Sequence, residues 1–186
     1  MGKTGVNKGK SVLNNIFTAG IPQTITAVLQ QRDLRAATQT YWLNHCPQAT
    51  LIDVKLNIPG PIKNNLALNF LFNQGRSRWL QGEPALHLVV EWNCPSGNEA
   101  LYWTTQEAVA VKQRAIAFEE RDTLGRLFDI DVLKAPDVHL SRQDLQLPSR
   151  RCLICPRPAK QCARSRQHSI GELQLWISQL FLQEQS

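Results

Sequence analysis

Asp129 and Asp131 stand two residues apart in Leu124-Gly125-Arg126-Leu127-Phe128-Asp129-Ile130-Asp131-Val132-Leu133, an otherwise apolar, β-type run. Side chains two apart on a strand point to the same face. The spacing therefore predicts that Phe128, Ile130 and Val132 face a core while both carboxylates face outward together. Carboxylates held that close raise each other's pKa, and the remedies are a cation between them or a shared proton. A divalent metal handling phosphates meets that need, because Mg2+ is held by one or two carboxylates plus substrate oxygens. The plainer alternative is a solvated acidic strand face, the commoner meaning of so short a motif.

A second set of chemical groups lies near the C-terminus. Cys152, Cys155, Cys162 and His168 follow the pattern Cys-x2-Cys-x6-Cys-x5-His. Three thiolates and an imidazole suffice to close a tetrahedral zinc site. Packed thiols and a surface histidine would leave the same pattern. Arg142, Arg150, Arg151, Arg157, Lys160, Arg164 and Arg166 surround the cluster with few acids to offset them. Such a run supplies charge to a polyphosphate or an acidic protein. It also suits a zinc-containing nucleic-acid-binding module without catalytic activity. Cys46 and Cys94 are isolated and read as packing residues.

A third candidate is Pro59-Gly60-Pro61-Ile62-Lys63-Asn64-Asn65, which joins a predicted strand to a predicted helix. The first amides of a helix lack internal partners and carry the positive end of its dipole. Gly60, Lys63 and Asn64 are therefore candidates for phosphate binding, although the two prolines each remove an N–H donor. A plain turn with an exposed lysine is the alternative.

These groups need elements to position them. At 186 residues the chain suits one substantial domain, and 42% hydrophobic residues supply a core for it. Its net charge of +6 points to an anionic partner. No apolar run approaches the roughly 18 residues that span a bilayer, so no membrane partner is expected. Five cysteines, three of them clustered, argue against a secreted disulfide framework and for a cytoplasmic protein. Near the start, Gly5 to Ser11 imitates a P-loop but is one residue short, with Thr4 where its first glycine belongs. Met1-Gly2 suggests myristoylation, but Val6 occupies the Ser/Thr position.

Helical spacing predicts a helix from Ile21 to about Asn44, with Pro22 in its first turn and Cys46-Pro47 ending it. Leu51 to Ile58 reads as a strand and Asn64 to Leu80 as a helix. Leu86 to Trp92 and Ala100 to Trp103 form a hairpin across Pro95-Ser96-Gly97-Asn98. Thr104 and Glu107 match a capping box that opens a helix to about Phe118, with Ile116 to Glu120 also compatible with a strand. The Asp-x-Asp strand follows, then a turn at Ala135-Pro136-Asp137 and a return strand from Val138 to about Arg142. The order predicts an α+β fold, a ferredoxin-like or palm-like βαββαβ antiparallel sheet with an N-terminal helix and a Cys-rich C-terminal tail. Residues 1–11 are expected to form a flexible tail, 12–148 the catalytic domain, and 149–186 a Cys/Arg-rich tail and helix packed on that domain.

The chain resembles the citrate lyase holo-acyl-carrier-protein synthase family, the apo-citrate lyase phosphoribosyl-dephospho-CoA transferases. The resemblance runs through Ile21-Pro22, Arg32-Asp33, Gly60-Pro61-Ile62-Lys63 and Phe72-Asn73-x-Gly75. It continues through Leu124 to Val132, Leu140-Ser141-Arg142, Arg150 to Cys155 and Cys162-Ala163-Arg164. It implies a transferase that takes the prosthetic group from 2′-(5″-triphosphoribosyl)-3′-dephospho-CoA to a serine of the acyl-carrier (gamma) subunit of citrate lyase, releasing pyrophosphate. On that expectation Asp129 and Asp131 hold Mg2+ on the triphosphate, and Lys63 and Arg126 steady the leaving pyrophosphate. Arg142 and Arg151 add phosphate contacts, with Glu119 a candidate third carboxylate. Zn2+ would sit on Cys152, Cys155, Cys162 and His168. Nucleic acid is not an implied partner.

Overall fold

The computed structural model describes residues 15–83 and 85–185. The expected flexible segment 1–11, with the P-loop-like run and Met1-Gly2, lies outside the described residues. In chain order the elements are α1 (Ile25–His45), β1 (Thr50–Leu56), α2 (Leu66–Gln81), β2 (His87–Cys94) and β3 (Gly97–Thr104). They continue with α3 (Ala108–Arg121), β4 (Phe128–Lys134), β5 (Val138–Leu140), α4 (Ala159–Arg164) and α5 (Ile170–Glu184). The strands make one five-stranded sheet ordered β2-β3-β1-β4-β5, antiparallel throughout. The expected α+β class, antiparallel sheet and C-terminal cysteine cluster are all present.

Period-two alternation divides the central strands between two faces. Ile52 and Val54 of β1 and Ile130 and Val132 of β4 pack under α2, α3 and α5, against Leu68, Phe72, Val111, Ala115 and Ile177. The tail helix α5 thereby completes the main core, and its edge-to-face contact of Phe181 with Phe70, 5.7 Å between centroids, locks it there. Burying a side chain such as Ile177 contributes about 1.5–3 kcal/mol. On the opposite face Leu51, Leu101 and Leu133 form a smaller apolar cluster with Leu43 and Trp42 of α1. That cluster covers only one end of the face, because the next residues along β1 and β4 on that side are charged.

Several local expectations shift. The first helix begins at Ile25, capped by the Thr24 hydroxyl, so Pro22 precedes it; the Gln23 amide instead donates to the Pro61 carbonyl at 2.8 Å. No capping box forms at Thr104 and Glu107: Thr104 Oγ1 accepts from the Gln106 amide, and Glu107 caps α3 without a side-chain bond. The capping box is at Ser169 and Glu172, opening α5. Ile116 to Glu120 is helical, because Val111, Ala115 and Phe118 recur at helical spacing and pack on the core.

Two glycines set the approach of elements to β4. A Cβ on Gly75 of α2 would lie 2.2 Å from the Phe128 ring. A Cβ on Gly125 would lie 2.1 Å from the Phe118 carbonyl oxygen and 2.9 Å from Glu119 Cα. The second contact is with backbone, which cannot swing aside, and Gly125 opens the short 3-10 turn that delivers Arg126 and then Asp129. Gly125→Ala is therefore expected to destabilise the chain by about 1–3 kcal/mol, an overpacking cost. A fall in the urea midpoint at unchanged slope checks it; an unchanged midpoint refutes the packing argument.

Candidate active site

The β1–β4 register places Asp53 opposite Asp131 and Lys55 opposite Asp129. All four side chains point to the face that α1 partly covers. The Lys55 ammonium lies 3.2 Å from Asp53 Oδ2, 3.3 Å from Asp129 Oδ2 and 2.5 Å from Asp131 Oδ2. Phe128, Ile130 and Val132 are fully buried on the other face. The acidic pair is therefore set as its spacing predicts, and the cation between the carboxylates is a lysine from the neighbouring strand.

Around this focus the charges are layered by depth. The Asp129 and Asp131 side chains are 41% and 42% exposed, whereas Asp53 is 1% exposed. Arg35 reaches down from α1, with Nε 3.2 Å from Asp53 Oδ2 and Nη1 2.7 Å from Glu99 Oε1. Gln31 Nε2 also donates to Glu99. Burial pushes the Asp53 carboxyl up to about 6, against the pull of Lys55 and Arg35. Burial likewise works against Lys55, but Asp53, Asp131 and Asp129 outweigh it and hold the ammonium above its ordinary pKa. Asp131 is kept below the usual carboxylate range because Lys55, Lys112 and His139 overcome its desolvation.

Four carboxylates, of Asp53, Glu99, Asp129 and Asp131, meet the cations of Lys55, Arg35 and Arg150. The cluster has room for further positive charge, and Asp53 Oδ1 is buried with no hydrogen-bond partner. Hard carboxylate oxygens converging from two strands are the donor set that Mg2+ takes. The residues fit that ion.

Arginines form a pocket beside it. Arg126, Arg142, Arg150 and Arg151 line it with Glu119 and Glu120. Arg150 Nη1 donates to Asp129 Oδ1 at 3.3 Å and Nη2 to the Arg126 carbonyl at 2.5 Å. Arg126 Nε is buried without a partner, and burial, with Arg150 and Arg151 nearby, lowers the pKa of its guanidinium. Arg142 is engaged by Glu119 at 2.6 Å and by Glu120. Glu119 also accepts from the Ile130 amide, capping the free edge of β4, so Asp53 rather than Glu119 joins the acidic pair.

The Gly60, Lys63 and Asn64 candidates lie elsewhere. Lys63 Nζ donates to the Ile58 carbonyl at 2.6 Å in a groove shared with Gln23, Ile25 and Ile170, and burial lowers its pKa. Gly60 needs its positive φ of 85° and abuts Gln174 and Ile170. Asn64 bridges Asn93, the Cys94 carbonyl and Asn98. None of the three touches the acidic pair.

Cys152, Cys155, Cys162 and His168 come together with their ligand atoms all within 4.8 Å of one another, a cluster that could hold a metal ion. Burial and the two neighbouring thiols push Cys162 up to about 12. Cys152 is desolvated too, yet the amides of Ile154 and Cys155 hold its thiol below the usual value.

The sequence alone assigns no role to Asp53, Lys55, Arg35 or Glu99, and it marks Arg150 only as one member of the basic run. Leu51-Ile52-Asp53-Val54-Lys55-Leu56 carries the same alternation as the Asp-x-Asp run, which was the available signal.

Residues 23–184 match the family described as apo-citrate lyase phosphoribosyl-dephospho-CoA transferase. Proteins of that name from Shigella boydii serotype 18, Escherichia coli O157:H7 and Shigella sonnei are each 35% identical over 158 residues. Each alignment covers 80% of this chain and 83% of the relative.

Removing Lys55 leaves three carboxylates facing one another. Lys55→Met is expected to cost about 2–4 kcal/mol, below the full buried-pair value because Asp129 and Asp131 are partly solvated. Millimolar Mg2+ should restore part of the lost melting temperature in the variant and shift the parent protein less. An equal shift in both would show that the ion does not enter this cluster.

Proposed function

The chain belongs to the apo-citrate lyase phosphoribosyl-dephospho-CoA transferase family, and we propose that the carboxylate cluster between β1 and β4 is where it performs that transfer. It transfers a phosphoribosyl-dephospho-CoA group to apo-citrate lyase. The donor is read as 2′-(5″-triphosphoribosyl)-3′-dephospho-CoA and the acceptor as a serine of the acyl-carrier (gamma) subunit, with pyrophosphate released. What carries this assignment is the half-exposed pair Asp129 and Asp131, backed by buried Asp53 and flanked by an arginine-lined pocket.

Asp129 and Asp131 would hold Mg2+ with Asp53 behind them, and the ion would neutralise charge on the reacting phosphate. Arg126, Arg142, Arg150 and Arg151 bind the outer phosphates that depart as pyrophosphate. Charge-assisted guanidinium contacts suit that task because they strengthen as the leaving group gains charge. The serine hydroxyl releases its proton to solvent as its oxygen forms a new P–O bond and the bond to pyrophosphate breaks. No nucleophile from this chain is required, because the carrier supplies the hydroxyl. The Gly60, Lys63 and Asn64 segment meets the dephospho-CoA half of the donor, with Lys63 on its phosphates.

The cysteine–histidine cluster is read as a Zn2+ seat, since thiolates and imidazole select soft or borderline metals over Mg2+. We read the sheet as a ferredoxin-like scaffold with an added edge strand, from its β2-β3-β1-β4 order and crossover helices. No helix among the described residues is long and apolar enough to cross a membrane. Free cysteines suit the reducing cytoplasm, where we place the protein. A nucleic-acid-binding module is not favoured, because the family match spans both the carboxylates and the basic tail.

Asp129→Asn and Asp131→Asn should each cut transfer at least about 100-fold while changing stability by no more than about 1–2 kcal/mol. The mass gained by the carrier subunit, incubated with donor and Mg2+, is the readout. Near-normal turnover by both variants would remove the assignment. Lys63→Ala should raise the KM for donor about tenfold and leave that for the carrier unchanged; an unaltered donor KM would exclude Lys63 from the donor site.

A further inference from the structure

We propose that Cys152, Cys155, Cys162 and His168 close a structural Zn2+ site whose occupancy fixes Arg126 and Arg150 at the anion pocket beside Asp129. Its second half rests on the transferase site described above. A tetrahedral zinc with thiolates at about 2.3 Å separates its sulfurs by roughly 3.8 Å. Cys155 Sγ and Cys162 Sγ are 3.9 Å apart, far beyond disulfide distance. His168 Nε2 is buried with no hydrogen-bond partner. An unpaired imidazole nitrogen beside crowded thiols is costly unless something fills the space between them.

The chain is folded to bring these groups together. The Cys152 amide donates to the Arg157 carbonyl and the Ala159 amide to the Arg150 carbonyl, both at 2.8 Å. A bridge between Arg151 and Pro158 completes a tight hairpin around the first two cysteines. Cys162 comes from α4, and His168 immediately precedes the cap of α5. The site therefore ties together the hairpin, α4 and the helix that completes the main core. Between β5 and α4 the described chain has no helix or strand, so an ordering element is needed there. Four protein ligands leave no open position for substrate, which makes the metal structural.

A short path joins this site to the carboxylates. Arg126 Nη2 donates to the carbonyl of the ligand Cys152. Arg150, two residues before that ligand, donates to the Arg126 carbonyl and to Asp129. Three thiolates around a dication leave one net negative charge, which favours guanidinium groups gathering against it. Loss of the metal would free the hairpin and with it both arginines.

Protein purified without chelator should contain one zinc per chain. Cobalt exchanged for it should show thiolate charge-transfer and tetrahedral ligand-field bands, lost in Cys162→Ser. Metal-free protein with three freely titrating tail thiols and no cobalt bands would overturn the site. Under reducing conditions, stripping zinc should speed amide hydrogen exchange at residues 150–159 and 126–129 while β2 and β3 stay protected. It should also weaken binding of pyrophosphate with Mg2+ about tenfold, the worth of a charged hydrogen bond. In a variant carrying both Arg126→Ala and Arg150→Ala, stripping should weaken it little further. Unchanged exchange, protection lost across the whole sheet, or unchanged pyrophosphate affinity would each overturn the coupling. Failure of the transferase assignment would look different: Asp129→Asn and Asp131→Asn would both keep turnover while zinc content and exchange behaved as described.

Discussion

The ammonium of Lys55 is shared by carboxylates from two paired strands, and that sharing exists in only one register. Sliding β4 by one residue against β1 would turn Asp129 and Asp131 into the apolar layer under α3 and bring Ile130 and Val132 to the charged side. Burying two unpaired carboxylates costs far more than a lost apolar contact. The same ions that make a site therefore exclude the wrong sheet. Asp53 extends this constraint inward. It is buried, so it must be paired, and Arg35 supplies the second cation from α1. The position of α1 across the sheet then follows from two contacts of different kinds: leucine and tryptophan packing at one end, and a guanidinium between Asp53 and Glu99 at the other.

Such a network is a poor way to gain stability, because desolvating its members offsets most of their attraction. The apolar face of the sheet, closed by α2, α3 and α5, carries that burden instead. Freed from it, the charged face can keep Asp129 and Asp131 open to solvent. Gly125 has a similar divided role. Its missing side chain lets the turn before β4 press on the Phe118 carbonyl, which puts Arg126 one strand-start away from Asp129. Arginine and carboxylate then belong to one short run of chain, and the sheet holds both.

The parts of this arrangement legible in the sequence were those written locally. Alternation about Asp129 gave the strand and its outward acids, and cysteine spacing gave a cluster that does assemble. What escaped was information held between segments. Nothing in Asp53-Val54-Lys55 says that its partner is Asp129-Ile130-Asp131, because register is decided by the whole sheet. Arg150 was one arginine among many in a basic run, and only the hairpin around Cys152 singles it out. Lys63 shows a different limit. Its position before a helix suggests phosphate, and the fold sets it in a groove beside the start of α1, apart from the acidic pair, with its ammonium on the Ile58 carbonyl. Thr104 and Glu107 had the letters of a capping box, but the turn at Gln106 redirected the hydroxyl.

A net charge of +6 would not by itself bring a polyphosphate to an acidic cluster. At physiological ionic strength charges beyond about 8 Å are largely screened, so the near groups decide. Lys55, Arg35 and Arg150 neutralise most of the cluster, and Arg126 and Arg151 present positive charge at its edge. Two unit charges 3 Å apart interact by roughly 5 kcal/mol at an effective dielectric of 20. The Lys55 ammonium at its focus would repel a bare dication by at least that order, which offsets part of the attraction of the carboxylates. A dication already bound to phosphates carries compensating negative charge, and the arginines at the edge favour it further. On the proposed function, the electrostatics would favour a metal that arrives with the polyphosphate over one held in advance, and would tie the arginines and the acids into a single binding event.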